Sequence, residues 1–399
     1  MDTIKSFHTV TIGESHRVKN IPCQDAANHF EYPEKGIFIG AVSDGHGGEN
    51  YFRSDRGSKM AVDISIKSIE QFVTCCDKNL FNVGFIQRHT RASEIKKGLY
   101  QKHSNEDIAL NRLFSSIIAQ WNDSVKEDWF KNTPAKEELD KLNILQELKQ
   151  SYLQGNSIEE AYGCTIIAFA RTADFWFVFQ LGDGKCIAFN NTDYWEPVPW
   201  DEQCNGNITT SICEINAIDN FRYSYGNERF PAALFIGSDG MDGAYGDYDE
   251  LSVTLLAKLY LRLLRKFAED DFDETIKYIR EDLLPKLSIQ GVARDDLSIA
   301  GWVDMEKLKK MLPLFLRNEL EESLKTETEK KDRLEVLIAR KQQELQKINQ
   351  EILTVKNHWL TKTKECEAIN AKILDIQNEY VQVLKEIDKI AKEIGDLRD

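Results

Sequence analysis

The stretch GIFIGAVSDGHGG, residues 36–48, decides the fold. Residues 36–43 form a nearly continuous apolar run, which is typical of a buried strand. The run ends at Asp44, and a loop with three glycines and one histidine follows. The stretch therefore predicts a central strand that delivers a carboxylate to the edge of a sheet through a glycine-rich loop.

The segments on either side of this strand predict a mixed α/β domain. Short β-rich runs bounded by turn residues predict strands at 6–12, 163–170, 174–181, 185–190, 208–216, 232–237 and 297–303. Apolar residues at helical spacing predict helices at 49–76, at 104–153 with a break at Pro134, and at 251–267 and 273–287. Residues 78–103 fit neither pattern. In a chain with this order of strands and helices, helices that pack on the sheets bury the apolar faces of both.

Aspartates stand at the ends of these predicted strands. They lie in Asp44–Gly45–His46–Gly47–Gly48, Gly182–Asp183–Gly184, Ser238–Asp239–Gly240 and Asp295–Asp296, and Asp25 precedes a further strand-like run. A lone Asp–Gly pair is usually a plain turn. Five acidic positions, each tied to a strand end, favour convergence on one edge of a sheet instead.

Convergent carboxylates repel each other by several kcal/mol at low effective dielectric, so they need protons, water or cations between them. Oxygen ligands without Cys or His partners suit Mg²⁺ or Mn²⁺ better than zinc. Two such ions about 3.5–4 Å apart can share a water and turn it into a nucleophile near neutral pH. The pattern therefore predicts a binuclear metal site.

Composition excludes several classes of protein. The chain has 399 residues, 42% hydrophobic and 29% charged, with a formal net charge of −15. The apolar share excludes a fully disordered chain. The acidic balance argues against nucleic-acid binding, which needs a basic face.

The same sequence indicates a compartment. The N-terminus has no basic segment followed by an apolar run, and no stretch approaches the roughly 18 apolar residues of a spanning helix. Eight scattered cysteines form no CxxC pair. They are best explained as small side chains in a reducing compartment, with a disulfide framework or zinc site as the alternative. We therefore expect a cytoplasmic protein without a membrane contact.

Residues beyond 305 form a segment of different character. They hold 19 basic and 19 acidic residues and one glycine, Gly395, so the net charge lies entirely in residues 1–305. From Leu334 to Leu397 apolar residues recur with alternating gaps of three and four, as in a coiled coil. The pattern predicts one helix of about 95 Å. The connecting residues 306–333 are predicted to be helical, with Pro313 breaking or beginning a helix.

This apolar seam predicts a partner helix, because a single solvated helix cannot hide it. We expect a homo-oligomer, most simply a homodimer, or a different coiled-coil protein bound through residues 334–397. A second partial stripe lies on a neighbouring face, at Leu353, Leu360, Leu374 and Val381.

The motifs CQDA, VSDGHGG, YGCT, LGDG, GSDG and RDDLS, in this order over residues 5–303, resemble the type 2C metal-dependent serine/threonine phosphatases, in particular their bacterial branch. The resemblance implies a two-sheet β-sandwich flanked by antiparallel helix pairs. The resemblance implies a phosphatase domain at 1–305. The pattern of the tail adds a helical connector at 306–333 and a coiled coil at 334–399.

The resemblance also implies roles for single residues. Asp44 would bridge two Mn²⁺ or Mg²⁺ ions, one of which the Gly45 carbonyl oxygen would bind. Asp239 and Asp295 would complete the shell of one ion, and Asp25 would hold the second ion through water. Asp183 with Asp239 would form a third, looser metal site. His46 would act as general acid toward the leaving seryl or threonyl oxygen, although a solvated loop histidine is the alternative.

Two positions depart from the family pattern. Gln24 stands where eukaryotic members have a glutamate, and it cannot supply a charge. Asn20 stands where those members have an arginine that binds the substrate phosphate. Arg17 and Lys19 lie nearby and are the candidate substitutes. Arg17 is three residues away from the family position, so we expect the phosphate to be held mainly by metals.

The sequence thus predicts metal-dependent hydrolysis of phosphoserine or phosphothreonine in proteins by a metal-bridged hydroxide. One alternative is a phosphoprotein-binding scaffold without turnover, assembled by the coiled coil; Gln24 and Asn20 motivate it. Another is a hydrolase of a small phosphorylated molecule, which the same metal site would fit.

Overall fold

A computed structural model describes residues 3–98, 104–204, 208–245, 250–354 and 359–396. The chain separates into two compact units, Met1–Met311 and Leu312–Asp399. The first unit carries every strand of the described residues, and the second is helical.

Eleven strands lie in the described part of the first unit and form two antiparallel sheets. They are β1 (Ile4–Thr11), β2 (Ala26–Tyr32), β3 (Ile37–Ser43), β4 (Ile86–Arg88), β5 (Ile166–Arg171), β6 (Trp176–Leu181), β7 (Lys185–Asn190), β8 (Asp193–Trp195), β9 (Arg222–Gly226), β10 (Ala233–Gly237) and β11 (Leu297–Asp304). One sheet has the order β1-β11-β10-β7-β8, and the other has the order β2-β3-β5-β6-β9-β4. The predicted central strand is β3, and all seven of its residues are buried.

The two sheets pack face to face through a layer of large apolar side chains. The Trp302 ring of β11 lies 4.8 Å from Phe169 of β5 and 6.2 Å from Trp176 of β6, centroid to centroid. Leu234 and Ile236 of β10 complete the same buried cluster. Alternate residues of each strand supply this inner layer, as the period-two pattern of strands requires.

Twelve α-helices lie in the described residues. They are α1 (Glu14–Lys19), α2 (Ser54–Cys75), α3 (Arg91–Lys96), α4 (Asn105–Lys131), α5 (Lys136–Lys141), α6 (Gln146–Leu153), α7 (Asp239–Gly243), α8 (Glu250–Glu269), α9 (Phe272–Tyr278), α10 (Leu284–Gln290), α11 (Met305–Thr354) and α12 (Trp359–Asp396). A π-helical turn, Ile279–Leu283, joins α9 to α10.

Helices cover the outer face of each sheet. On the six-stranded sheet, α2 packs with α4, whose Trp121 indole donates to the Gly57 carbonyl oxygen at 3.0 Å. On the five-stranded sheet, the Phe235 ring stacks on Tyr260 of α8 at 4.5 Å. The layers are therefore helix, sheet, sheet, helix, and the expected sandwich with flanking helices is confirmed.

Several local predictions need correction. The predicted strand at 208–216 is wrong: its described residues form a loop and turns, and the strand of this region is β9, further along the chain. Strands β4 and β8, of three residues each, were not predicted. Pro134 does separate two helices, α4 and α5, as predicted.

The cysteines agree only in part with the expectation. All eight are free, which excludes a disulfide framework in this structure. Cys164, Cys186 and Cys204 are buried, but Cys75 is exposed. No described helix is long and apolar enough to cross a membrane.

The helical tail differs from the predicted 95 Å helix. Pro313 lies inside α11, whereas the sequence predicts a break or a start there. Lys330 of α11 lies 3.9 Å from Glu379 of α12. The pKa of Glu344 in α11 is lowered by Lys341 beside it and, more weakly, by Lys372 of α12. As the residue numbers rise along α11, from 330 to 344, those of the neighbouring residues in α12 fall, from 379 to 372. The two helices therefore run antiparallel.

The apolar seam is therefore covered within one chain. The seam residues Ile373, Val383, Ile390 and Ile394 are buried, whereas Leu374 and Val381 of the second stripe are exposed. The seam residues Val355 and Leu397 lie outside the described residues. Pairing within the chain supplies the partner helix that the sequence predicts from a second chain.

Two valines of α12 test this pairing. Val383 is 4% exposed and Val381 is 47% exposed. Val383→Asn should lower the free energy of unfolding of the tail by about 2 kcal/mol, because it buries an amide in an apolar contact. Val381→Asn should change it by less than about 0.5 kcal/mol. Urea unfolding followed by far-ultraviolet circular dichroism measures both, and a larger loss for Val381→Asn would contradict the antiparallel pair.

Candidate metal centre at one end of the sandwich

The strand registers place the predicted aspartates at matching strand ends. In the six-stranded sheet, Ala26 pairs with Ser43, and Ile166 pairs with Leu181. Asp25 and Asp44 adjoin the first pair, and Asp183 lies two residues after Leu181, so all three lie at one end of that sheet. In the five-stranded sheet, Gly237 pairs with Ile299. Asp239 and Asp295 flank these strands at one end in the same way.

These two ends are the same end of the sandwich, because Asp25, before β2, accepts a hydrogen bond from Ser298 of β11. Burial raises the pKa of Asp44 well above its ordinary value, and the charges of Asp239, Asp25 and Asp183 raise it further. Asp44 shares a hydrogen bond with Asp239, which requires a proton on one of the two carboxyl groups. Burial, and then Asp239, also raise the pKa values of Asp183, to about 6, and of Asp295.

Asp25 is held by two serines at the ends of neighbouring strands. Its Oδ2 accepts a hydrogen bond from the Ser298 hydroxyl at 2.6 Å, and the Ser238 hydroxyl donates to the same side chain. Ser238 and Ser298 are themselves linked by two hydrogen bonds of 3.1 Å. Burial nevertheless raises the pKa of Asp25 to about 8, so this carboxyl group holds a proton at neutral pH unless a cation replaces it.

Backbone hydrogen bonds fix the loop that carries Asp44. The Asp44 N–H donates to the Thr165 hydroxyl at 3.0 Å, and the Thr165 N–H donates to the Asp44 carbonyl oxygen at 2.8 Å. The next N–H, of Gly45, donates to the Gln24 carbonyl oxygen at 3.1 Å. Gln24 thus contributes to the site through its backbone, and its lack of charge does not affect this contact.

His46 is packed against its loop. Its N–H donates to the Gly163 carbonyl oxygen at 3.1 Å, and its ring meets the Tyr51 ring edge-on at 4.8 Å. Burial lowers the pKa of His46 to about 4, and the charge of Asp239 only partly offsets this. The imidazole is therefore neutral at neutral pH in the absence of a bound ligand.

Arg17 is placed differently from the other predicted residues. Its side chain is exposed, and it donates to Glu14 at 2.9 Å and to the Ile12 carbonyl oxygen at 3.5 Å. None of these contacts is with a site aspartate.

Two neighbouring aspartates, Asp295 and Asp296, have opposite environments. Although burial would raise it, the pKa of Asp296 is lowered by hydrogen bonds from His16 and from the N–H groups of Gly13 and Gln24. The His16 ring lies between them, with Nδ1 2.8 Å from Asp296 Oδ2 and Nε2 3.7 Å from Asp295 Oδ1. His16, Asp295 and Asp296 can bring three ligand atoms within 4.8 Å of one another. The sequence prediction missed His16.

Sequence reasoning also missed a buried ion pair under the cluster. Lys185 Nζ lies 3.8 Å from Asp242 Oδ2 and 3.7 Å above the Trp200 ring. Burial raises the pKa of Asp242 to about 7, and Lys185 works against this shift. The spacing of Asp239 and Asp242, three residues apart in a helical turn, is the signal that could have revealed the second carboxyl group.

The donor set fits hard divalent cations. The carboxyl groups of Asp25, Asp44, Asp183, Asp239 and Asp295 offer oxygen atoms, which are the ligands that such ions prefer. Burial, together with the charge of Asp239, raises the pKa values of Asp25, Asp44, Asp183 and Asp295, and a bound cation would relieve both effects. Metal binding would replace the protons that the cluster otherwise retains.

The profile of the protein phosphatase 2C family matches residues 12–277. No curated protein matches the sequence. The fold is similar to the catalytic domain of the serine threonine protein phosphatase PstP in complex with two manganese ions (11% identity, 75% of this chain and 97% of that chain, TM-score 0.43). It is also similar to PppA of Pseudomonas aeruginosa (14% identity, 75% of this chain and 97% of that chain, TM-score 0.40). A third similar structure is RsbX in complex with magnesium (12% identity, 75% of this chain and 94% of that chain, TM-score 0.36).

Two glycines of the loop that follows Asp44 test how closely that loop packs against its neighbours. A Cβ at Gly45 would lie 2.7 Å from the Gln24 carbonyl oxygen and 2.8 Å from that of Ser54, whereas at Gly47 the nearest atom is 3.9 Å away. Gly45→Ala should lower the free energy of unfolding by about 1–3 kcal/mol, because backbone atoms must move. Gly47→Ala should be nearly neutral. Urea unfolding of both variants checks the difference, and equal stabilities would refute it.

Proposed function

The chain belongs to the protein phosphatase 2C family, and on this premise we propose that it hydrolyses phosphoserine or phosphothreonine in proteins. The observation that carries the proposal is that Asp25, Asp44, Asp239 and Asp295 meet at one end of the sandwich. Burial, together with the charge of Asp239, raises the pKa values of Asp25, Asp44 and Asp295 there. A cluster with such repulsion is suited to bind divalent cations, which in turn can bind a phosphate group.

The proposed ligands follow from the position of each group. Asp44, next to Asp239 and Asp25, would lie between two Mn²⁺ or Mg²⁺ ions, and the Gly45 carbonyl oxygen adjoins it. Asp239 and Asp295 would complete one shell, and Asp25, held by two serines, would contact the other ion through water. Asp183, which Asp239 also repels, would hold a third, looser ion.

The bound ions would lower the pKa of a shared water and neutralise phosphate charge. Residues of the chain itself would hold the metal ligands in place and donate a proton to the leaving oxygen. Hydrogen bonds to Thr165 and Gln24 fix the Asp44 loop. His46, fixed in the same loop, would donate a proton to the leaving oxygen when the substrate phosphate restores its charge. Arg17 would have to leave Glu14 to reach the phosphate.

Asp239→Asn tests the metal-dependent reaction. It should reduce Mn²⁺-dependent hydrolysis of a phosphothreonine peptide by about 10²-fold or more, because Asp239 faces every other site aspartate. The matched control is Asp174→Asn, an exposed turn aspartate at the other end of β5 and β6, which should keep full activity. Equal rates for wild type and Asp239→Asn, or no hydrolysis by either, would refute the phosphatase proposal.

His46→Gln tests the general acid. A seryl or threonyl oxygen leaves poorly without a proton, whereas p-nitrophenolate leaves readily. The variant should therefore lose about 10²-fold in kcat on a phosphothreonine peptide and much less on p-nitrophenyl phosphate. An equal loss on both substrates would show that His46 only supports the structure.

Two other functions share this site. A phosphoprotein-binding scaffold would bind two Mn²⁺ ions in calorimetry without any turnover; the engagement of Arg17 with Glu14 favours this candidate. A hydrolase of small phosphorylated molecules would show a higher kcat/KM for a small ester than for a phosphopeptide.

Location and assembly also remain proposals. We place the protein in the cytoplasm on the sequence pattern of its cysteines. Because α11 and α12 already pair within one chain, we propose that any association with a second chain uses the exposed stripe of Leu374 and Val381.

A further inference from the structure

Asp296 is the most firmly held carboxylate at this end of the sandwich. Its Oδ1 accepts from the Gly13 N–H at 2.7 Å, and its Oδ2 accepts from the Gln24 N–H at 2.6 Å and from His16 Nδ1 at 2.8 Å. Its side chain is only 2% exposed. Three donors occupy its oxygens, so Asp296 is a fixed acceptor and not a free ligand.

This anchor determines which nitrogen of His16 is available. When Nδ1 donates its proton to Asp296, the other ring nitrogen, Nε2, carries the lone pair in the neutral ring. Nε2 points toward Asp295, whose Oδ1 is 3.7 Å away, and the His16 side chain is 13% exposed. A histidine held by a carboxylate at one nitrogen, with its other nitrogen free, is a recurring arrangement of metal sites.

The separation of the two candidate donor atoms fits one shared ion. Two ligand atoms about 2.1 Å from an ion are roughly 3.0–3.7 Å apart when the angle between them is roughly 90–120°. The distance from His16 Nε2 to Asp295 Oδ1 lies at the upper end of this range. It exceeds hydrogen-bond length, so the ring is not already committed to Asp295.

We propose that His16 Nε2 is a direct ligand of the divalent ion that Asp295 binds. This inference rests on the proposed function, since Asp295 is one of the metal ligands proposed there. It adds a nitrogen to a set of oxygen ligands. Imidazole suits first-row transition ions, whereas Mg²⁺ prefers oxygen and water, so the site selects Mn²⁺ over Mg²⁺.

The alternative role for His16 is a charged one, in which Nε2 carries a proton and His16 orients the Asp295 carboxylate through space. Both roles use the same contacts with Asp296, but only the first places nitrogen on the ion. A measurement of metal–nitrogen coupling therefore separates them.

The experiment is pulsed electron paramagnetic resonance of the full-length chain with Mn²⁺, below one equivalent and again at saturation. Natural-abundance protein should show ¹⁴N coupling of a directly bound imidazole, and protein labelled with ¹⁵N-histidine should show ¹⁵N coupling instead. The coupling should disappear in His16→Gln and persist in His46→Gln. The wild-type labelling alone decides whether a histidine binds, so the result does not depend on the variant's folding.

A competition titration gives a second readout. His16→Gln should reduce the ratio of Mn²⁺ to Mg²⁺ affinity by about 10-fold or more, because the nitrogen ligand is lost. An unchanged ratio would overturn the proposal. So would Mn²⁺ binding without histidine coupling, or coupling that disappears in His46→Gln instead.

Phosphopeptide turnover, measured on the same samples, separates this inference from the proposed function. Turnover without histidine coupling would refute the ligand role of His16 and leave the phosphatase proposal intact. Histidine coupling without turnover would do the reverse. A chain that binds no Mn²⁺ would refute both.

Discussion

Repulsion between crowded carboxyl groups is the constraint on which the arrangement of this domain depends. Five strand ends each bring an aspartate to one end of the sandwich, and the charge of Asp239 raises the pKa values of the other four. At an effective dielectric near 20, a pair of charges about 4 Å apart costs about 4 kcal/mol. The scaffold must therefore hold groups that would otherwise separate. It does so with paired strand-end serines, a threonine bonded to the Asp44 backbone, and a glycine for which no side chain would have room.

Asp295 and Asp296 are neighbours in the chain, but one side chain is placed to bind a cation and the other holds the surrounding backbone. The first carboxyl group is half-exposed and repelled by Asp239, and the second is buried and satisfied by three donors. Since Asp296 binds Gly13, Gln24 and His16, it joins the turn after β1 to the loop before β2 and to the start of β11. The groups that would take up a cation thus rest on a neighbour that takes no part in binding it.

The sequence predicted the parts of this domain that follow from local pattern. The buried strand before Asp44 and the aspartates at strand ends could be recognised because apolar runs and Asp–Gly turns are local signals. His16 could not, because its importance comes from Asp296, 280 residues away along the chain. The pattern of residues 208–216 predicted a strand, but their threonines form hydrogen bonds with a neighbouring loop. Thr210 accepts a hydrogen bond from the Gly182 N–H, and Thr209 forms one with Asp183. The tail shows a different limit. A heptad pattern specifies that a helix needs a partner but not which chain supplies it, and here Val383 is covered by a helix of the same chain.

The pairing of β1 with β11 also bears on the order of events during synthesis. Ile4 lies opposite Asp304, so the first strand leaves the ribosome long before its hydrogen-bond partner exists. Until β11 emerges, β1 is an unpaired edge, Gly13 and His16 lack Asp296, and Asp25 lacks Ser298. Pairings of such long range form slowly, because the intervening chain must lose its freedom first. The nascent domain can therefore form its helices and inner strands early. Its cluster of aspartates at the end of the sandwich is complete only after nearly all of the domain has been translated.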